Sequence, residues 1–321
     1  MNNSVFIFSL DLELIWGAIN PPDYNLLVLL KKAGSTKLRS CIHFLLKLFE
    51  RYDIPVTWAT VGHIFLEHSL NWEENFNILL DDFSSNKYLF TNLLKEDPLL
   101  FYGRDIIEEI ISTRTNHEIG YHSFSHPIFT KINRETAEME IKKGVELAKK
   151  LGINLHSFVF PRNEVAYVDL LKKYGFKIYR GKSIKRYKLK KSFLRQKVNS
   201  IIDKIVASPV LPIRQNGIWC IPSSICFYDP KVPISLLFRS KIGLKWSIKS
   251  KKVFHIFMHP WNLLCYKSLQ RDLTIFLNWL SKEKDKRKIK VMTMSNFAEY
   301  LNKLKKCKEL KNYVKMENFQ E

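Results

Sequence analysis

Three observations predict an α/β fold with a mainly parallel sheet or barrel. Short apolar runs of strand length alternate with stretches of helical periodicity along most of the chain. Several of these runs end in polar residues, and folds of this kind gather such ends on one face. The chain has 321 residues, 46% of them hydrophobic and 13% aromatic, which is enough to bury a large core in one domain with insertions.

The first strand is predicted over Val5 to Leu12. A helix follows over Lys37 to Tyr52, where Ile42, Leu45, Leu46 and Phe49 recur at helical spacing before Pro55 opens a strand over Val56 to Val61. Together these form one βαβ unit. Residues 69–102, rich in Asn, Asp and aromatic residues, read as an insertion. A helix over Asp105 to Ser112 then enters a strand over Glu118 to His122. The next helix, Arg134 to Leu151, stops at Gly152, and a strand around Phe158 leads through Pro161 into a helix over Val165 to Tyr174. A last strand spans Val253 to His259.

Cys41, Cys220, Cys226, Cys265 and Cys307 are odd in number and lack short paired spacing, so neither a disulfide framework nor a structural zinc ribbon is expected. A reducing compartment fits that usage. The amino terminus lacks a basic leader, and its apolar run is broken by Asp11 and Glu13, as in a buried strand and unlike a signal peptide. No stretch approaches the roughly 20 apolar residues of a membrane span. The expected location is therefore cytoplasmic.

Lys and Arg exceed Asp and Glu by 52 to 31, a formal charge of +21 that favours an anionic partner such as nucleic acid or acidic lipid. A chain rich in Lys, Ile and Asn also acquires such a charge from composition alone. A nucleic-acid role would leave Asp11, His122, His126 and His259 without a task, so none is expected.

The segment His122-Ser123-Phe124-Ser125-His126 is the strongest chemical signal. Two imidazoles four residues apart on one side of a helical turn can both face one ion, and Asp11, Glu13 and His259 supply carboxylates and a further imidazole at other strand ends. Two exposed loop histidines are the plainer reading of the pair alone. An aspartate at the end of an apolar strand is costly to bury unless it is paired or ligated.

With these residues in view, the chain resembles the polysaccharide deacetylases, the NodB-homology group of carbohydrate esterase family 4, over roughly residues 4–300. The resemblance rests on Ser9-Leu10-Asp11-Leu12-Glu13 with Trp16-Gly17, and on Val56-Thr57-Trp58-Ala59-Thr60-Val61-Gly62. It continues through His117-Glu118-Ile119-Gly120-Tyr121-His122 to His126-Pro127, then Phe160-Pro161-Arg162-Asn163 and Phe257-Met258-His259-Pro260. It implies a distorted (β/α)7 barrel and hydrolysis of an acetyl group, N-acetyl before O-acetyl, on a sugar.

The cofactor it implies is a divalent metal, Zn2+ foremost with Co2+ or Ni2+ as options. By the same resemblance Asp11 is the base, His259 the general acid, and Arg162 the arginine that pairs with the base. His122 and His126 are metal ligands. Where the family's usual motif has two adjacent aspartates, this chain has Leu12, so Glu13 is expected as the third ligand. Arg162 follows Pro161 instead of preceding it, and the family's acidic fourth motif has no evident counterpart near Tyr179-Arg180-Gly181.

Trp16, Trp58, Tyr102 and Trp261 are candidates for an aromatic wall against a sugar ring, although core packing is the plainer role for Trp58. Residues 1–305 are expected to form the deacetylase domain, with insertions at 69–102 and 182–252 and a Lys-rich tail at 306–321. The first insertion is expected to cover the substrate groove. Within the second, Lys185 to Lys197 flank an apolar stripe of Leu194, Val198, Ile201, Ile202 and Ile205, a pattern that suits peripheral contact with an anionic membrane. The expected partner is an acetylated glycan, in a surface polysaccharide or its lipid-linked precursor. The competing expectation is a catalytically silent or metal-free carbohydrate-binding relative.

Overall fold

Alternation along the first strand sets the plan of the molecule. In a computed structural model that describes residues 3–19, 22–67, 87–182, 207–228 and 235–317, β1 spans Ser4–Leu12 and is buried along its whole length. Successive side chains of a strand point to opposite faces. Phe6, Phe8, Leu10 and Leu12 join one apolar cluster with the surrounding helices, whereas Val5 and Ile7 join a second, smaller cluster. The second face continues upward as Ser9 and Asp11, so one side of β1 is apolar at its start and polar at its end.

Among the described residues nine further strands join the sheet: β2 Thr57–Thr60, β3 Glu118–Tyr121, β4 Ser157–Val159, β5 Ile178–Gly181, β6 Ile213–Gln215, β7 Ile218–Pro222, β8 Ile225–Cys226, β9 Val253–Met258 and β10 Ile289–Val291. Their order is β6-β7-β5-β4-β3-β2-β1-β9-β8, with β10 also on β1, and every pairing is parallel except β6 with β7. Because β7, next to the edge strand β6, and β8, at the other edge, are nearly consecutive in the chain, the sheet must curl so that its two sides approach. Taken as two halves of one stave, β7 and β8 leave a barrel of seven staves, the predicted distorted (β/α)7 form.

The smaller cluster fills the interior of this barrel, where Val5, Ile7, Ala59, Val159, Ile178, Ile221 and Val253 meet Met294, Phe297, Ala298 and Leu301 from the helix Met294–Glu317. That helix closes the amino-terminal end of the barrel. The larger cluster lies between the staves and the outer helices, and full burial of each Phe, Leu or Ile in it stabilises by roughly 1.5–3 kcal/mol.

The predicted helix over Lys37 to Tyr52 is the second part of a longer one, Tyr24–Arg51. Asp23 caps its start by accepting from the Leu26 amide, and the helix kinks at Gly34, whose φ of 70° suits glycine. Beyond the kink the freed Ser35 amide donates to Asp97 Oδ2 at 2.8 Å. The helices Arg134–Lys150 and Val168–Lys173 lie within the predicted segments, and Arg104–Ser112 starts one residue before its own.

Of the first insertion, residues 87–102 are described and form a helix, Lys87–Glu96, followed by a short turn at Pro98–Leu100. Residues 68–86, and the basic stretch Lys185 to Ile205, fall outside the described residues. Among those described, no helix is long and apolar enough to cross a membrane.

Candidate active site

Strand alternation carries the interior face of β1 beyond its end. Asp11 and Glu13 share that face, while Leu12 between them packs into the helix-facing cluster. A carboxylate two positions after Asp11 is therefore the one that enters the site. Gly17 makes room for it, since a Cβ there would stand 1.8 Å from Glu13 Oε2.

The two predicted histidines do not sit on a helical turn. His122 directly follows β3 and His126 ends a tight loop, in which Ser123 and His126 both have positive φ, 61° and 65°. The loop is held from several sides. Glu140 accepts from the amides of Phe124 and Ser125 at 2.7 and 2.9 Å and from the Ser125 hydroxyl at 2.6 Å. The amides of Gly62 and His63 donate to the carbonyls of Ser123 and Phe124. Such bracing lets non-glycine residues keep a costly backbone conformation.

Glu13 Oε1 lies 3.0 Å from His122 Nε2, 3.1 Å from His126 Nε2 and 3.3 Å from His259 Nε2. The Nδ1 of His122 is 2.7 Å from the Val159 carbonyl and must donate to it, which leaves the neutral ring a bare Nε2 facing a carboxylate oxygen. Two lone pairs at that distance call for a shared cation or a proton. An anchored imidazole beside a buried carboxylate and a second imidazole is a donor set that suits a divalent metal.

Among the described residues two groups bring three such donors together, Glu13 with His122 and His126, and Asp11 with Glu13 and His259. The first fits a cation better. In the second, both oxygens of Asp11 already hold a guanidinium, whose charge opposes another cation.

That guanidinium belongs to Arg180, which donates to Asp11 Oδ1 and Oδ2 at 2.6 Å each and is fully buried. The expectation for Arg162 is corrected here. Its Nη2 donates to the Gly17 carbonyl at 3.1 Å, its side chain is exposed, and it does not pair with Asp11. The reason is geometric: Arg162 lies in a turn beyond β4 with a φ of 54°, whereas Arg180 lies on β5 two residues from the interior residue Ile178 and so faces inward. The alternation Ile178-Tyr179-Arg180 was the signal in the sequence that pointed to it.

Burial alone would raise the Asp11 carboxyl, but Arg180, with help from His122 and His259, outweighs it and holds the group below its ordinary value. Glu13 is also pushed up by burial, and the three imidazoles hold it well below its usual range. For His259 burial favours the neutral ring, yet Glu13 and Asp11 prevail and raise its pKa. For His122 burial prevails over Glu13 and lowers the pKa. The cluster thus combines two ionised carboxylates, a neutral His122 and a His259 that favours its proton.

Of the four aromatic candidates, two are core residues. Trp58 is fully buried, and Trp16 is 1% exposed, stacked 4.0 Å from the His63 ring and donating to the Phe101 carbonyl. Neither offers a face to a sugar. Tyr102 lines a surface cavity of ≈ 340 Å³ with Leu66, Leu99 and Arg104, apart from the acid–imidazole cluster. Trp261 is half-buried and stacks on His259 with ring centroids 4.5 Å apart, so it adjoins the site.

A curled parallel barrel with buried carboxylates and imidazoles at the carboxyl ends of its staves defines a class, the distorted (β/α) barrels. Residues 39–179 match the family model for polysaccharide deacetylase, a span that holds His122 and His126 and stops one residue short of Arg180. That match, over somewhat less than half of the chain, makes this segment similar to the polysaccharide deacetylases.

Solved structures agree in fold. An inferred polysaccharide deacetylase from Mycobacterium smegmatis superposes with a TM-score of 0.62 at 14% identity, covering 95% of this chain and 92% of that one. Another, from Pseudomonas aeruginosa PAO1, gives 0.56 at 11% identity over 93% and 90%. The PuuE allantoinase gives 0.55 at 12% identity over 92% and 88%. A search of curated proteins by sequence returns no match.

Proposed function

We propose that the protein removes the acetyl group from an N-acetylated sugar, assisted by a divalent cation held by Glu13, His122 and His126. The observation that carries this reading is the division of one buried cluster into two halves. Glu13 faces the imidazoles, while Asp11 is held by Arg180, and His259 lies within 3.3 Å of Glu13 and 3.6 Å of Asp11.

Glu13, His122 and His126 would hold the cation, with Zn2+ first and Co2+ or Ni2+ as alternatives suited to imidazole and carboxylate donors, and it would supply Lewis-acid polarisation of the acetyl carbonyl and a lowered water pKa. Asp11, kept ionised by Arg180, takes a proton from the attacking water as its oxygen bonds to the acetyl carbon. His259 gives its proton to the sugar nitrogen as the carbon–nitrogen bond breaks, so the products are acetate and a free amine. Trp261, stacked on His259, offers an apolar edge to the sugar beside the reacting bond.

The glycan we have in mind is a bacterial surface polysaccharide or its lipid-linked precursor, met in the cytoplasm at the inner face of the membrane. The basic composition of residues 182–252 and the net charge of +21 support a place beside an anionic surface. The test is acetate release from N-acetylated oligosaccharides by protein loaded in turn with zinc, cobalt and nickel. Release that stops on chelation and returns with metal supports the reading. Metal-loaded protein that binds the glycans without releasing acetate would turn it into a carbohydrate-binding relative. Failure to sediment with anionic liposomes at low salt would remove the membrane part.

A further inference from the structure

Arg180 extends from β5 across the barrel interior to β1, where it is hydrogen-bonded to Asp11 and not to Glu13, although oxygens of these two buried carboxylates lie within 4.8 Å of each other. Besides its two bonds to Asp11, its Nε donates to Asn163 Oδ1 at 2.9 Å and its Nη1 donates to Ser9 Oγ at 3.1 Å. The plane of the guanidinium lies over the Phe257 ring, 4.1 Å from its centroid.

Ser9 in turn lies 2.9 Å from His255 Nε2, and Ser9, Arg180 and His255 are all completely buried. No step of the proposed reaction uses Ser9 or His255. Both lie on the interior faces of their strands, two residues beyond Ile7 and Val253 respectively, at the level where the barrel lining changes from apolar to polar.

Counting protons fixes the direction of the chain. Ser9 Oγ accepts from Arg180, so its own hydrogen is spent only if it donates to His255 Nε2, which then carries no proton. The ring's proton sits on Nδ1, which forms no hydrogen bond of good geometry but feels the carbonyls of Pro222 and Ile221. Burial and the charge of Arg180 keep the ring neutral, with its pKa lowered to about 3. A neutral acceptor of fixed tautomer orients the hydroxyl, and the hydroxyl's lone pair orients the arginine.

We infer that Ser9 and His255 are positioning residues that aim Arg180 at Asp11 and away from Glu13, so that the arginine neutralises one buried carboxylate and leaves the other to the imidazoles. The inference rests on the proposed reaction for its catalytic consequence, not for the geometry. Without the Ser9 contact the long side chain can swing towards Glu13, which would blur the separation of base from ligand. Asn163 holds Nε alone, and the planar guanidinium can still pivot as a unit about that hydrogen bond.

The test compares Ser9→Ala, His255→Leu and His255→Gln by steady-state kinetics and by nitrogen-15 NMR of arginine-labelled protein, with the Arg180 signal identified by its loss in Arg180→Lys. Ser9→Ala and His255→Leu are expected to lower kcat about 10- to 100-fold with KM within about twofold, the signature of misplaced catalytic groups. The Arg180 guanidinium signals, slow in rotation in the unaltered protein, should broaden in both. His255→Gln, whose amide oxygen can accept from Ser9, should restore most of the rate and the sharp signals.

Unchanged kcat together with unchanged Arg180 signals in Ser9→Ala and His255→Leu would overturn the assignment. If His255→Leu fails to fold, Ser9→Ala decides, since it removes one hydroxyl. If the unaltered protein releases no acetate from any glycan, the proposed reaction falls separately. The positioning role is then upheld or overturned by whether Ser9→Ala loosens the Arg180 signals.

Discussion

Arg180 holds Asp11 by a two-pronged contact, 2.6 Å to each carboxylate oxygen, and both side chains are buried. This pairing settles which acid is clamped and which is left to the imidazoles. Removing the arginine strands an unpaired charge in the barrel. Arg180→Met is therefore expected to lower stability by about 3–5 kcal/mol and to abolish detectable turnover. Arg162→Gln should leave both within a factor of about three, because its side chain is exposed and contacts the Gly17 carbonyl instead. Denaturant titration and acetate-release assays on the two variants check the contrast, and equal losses in both would contradict it.

Metal content separates the base from the ligands. Asp11→Asn should lose turnover but keep its ion, whereas Glu13→Ala, His122→Ala and His126→Ala should lose metal, measured by elemental analysis after dialysis. Gly17→Ala touches no donor atom, yet its new Cβ would occupy the space of Glu13 Oε2 and should lower metal affinity at least about tenfold. Metal bound equally well by His126→Ala and the unaltered protein would remove that residue from the ligand set.

Glu140 braces the histidine loop through three donors, and its carboxylate is buried. Glu140→Ala removes the shared acceptor of two buried amides and one hydroxyl, an expected cost of about 2–4 kcal/mol. Since the same loop sets His126, its metal affinity should fall as well. Denaturation curves and metal titration together test this, and a stability loss with unaltered metal affinity would show that the loop keeps its form without Glu140.

His63 gives the protein an acid-sensitive element. The ring is fully buried against Trp16, its Nε2 has no hydrogen bond, and burial, with Lys143 adding to it, lowers its pKa to about 3. The unfolded chain takes up a proton near pH 6.5 that the folded protein refuses. The stability that the neutral ring allows is therefore present above pH 6.5 and lost as pH falls from there towards 3, with a slope of up to about 1.4 kcal/mol per pH unit. His63→Phe keeps the stacked ring and should flatten that acid limb. Denaturant titrations between pH 4 and 7 check it, and identical slopes would show that other groups carry the acid sensitivity.

Much of this architecture was legible in the order of residues. Polar residues ending apolar strands pointed to the carboxyl face of a parallel barrel. On β1 the run Val5-Phe6-Ile7-Phe8-Ser9-Leu10-Asp11-Leu12-Glu13 already encodes an interior face that changes from apolar to acidic, because side-chain direction along a strand has a period of two. That local rule explains why Glu13, and not position 12, joins His122 and His126.

What the sequence by itself determined was the resemblance to the polysaccharide deacetylases, the barrel, and the strand ends at which Asp11, Glu13, His122, His126 and His259 gather, since each depends on local periodicity and strand position. Tertiary structure alone decided which partner each of them meets. Arg180 displaced Arg162 at Asp11 because the inward direction of β5 and the curl of the sheet bring it across the interior. Trp16 and Trp58 became core because the staves and helices close over them. The Arg180–Asp11 contact joins residues 169 positions apart, and although strand alternation turns Arg180 inward, its choice of Asp11 follows from the curvature of the sheet and the burial of charge.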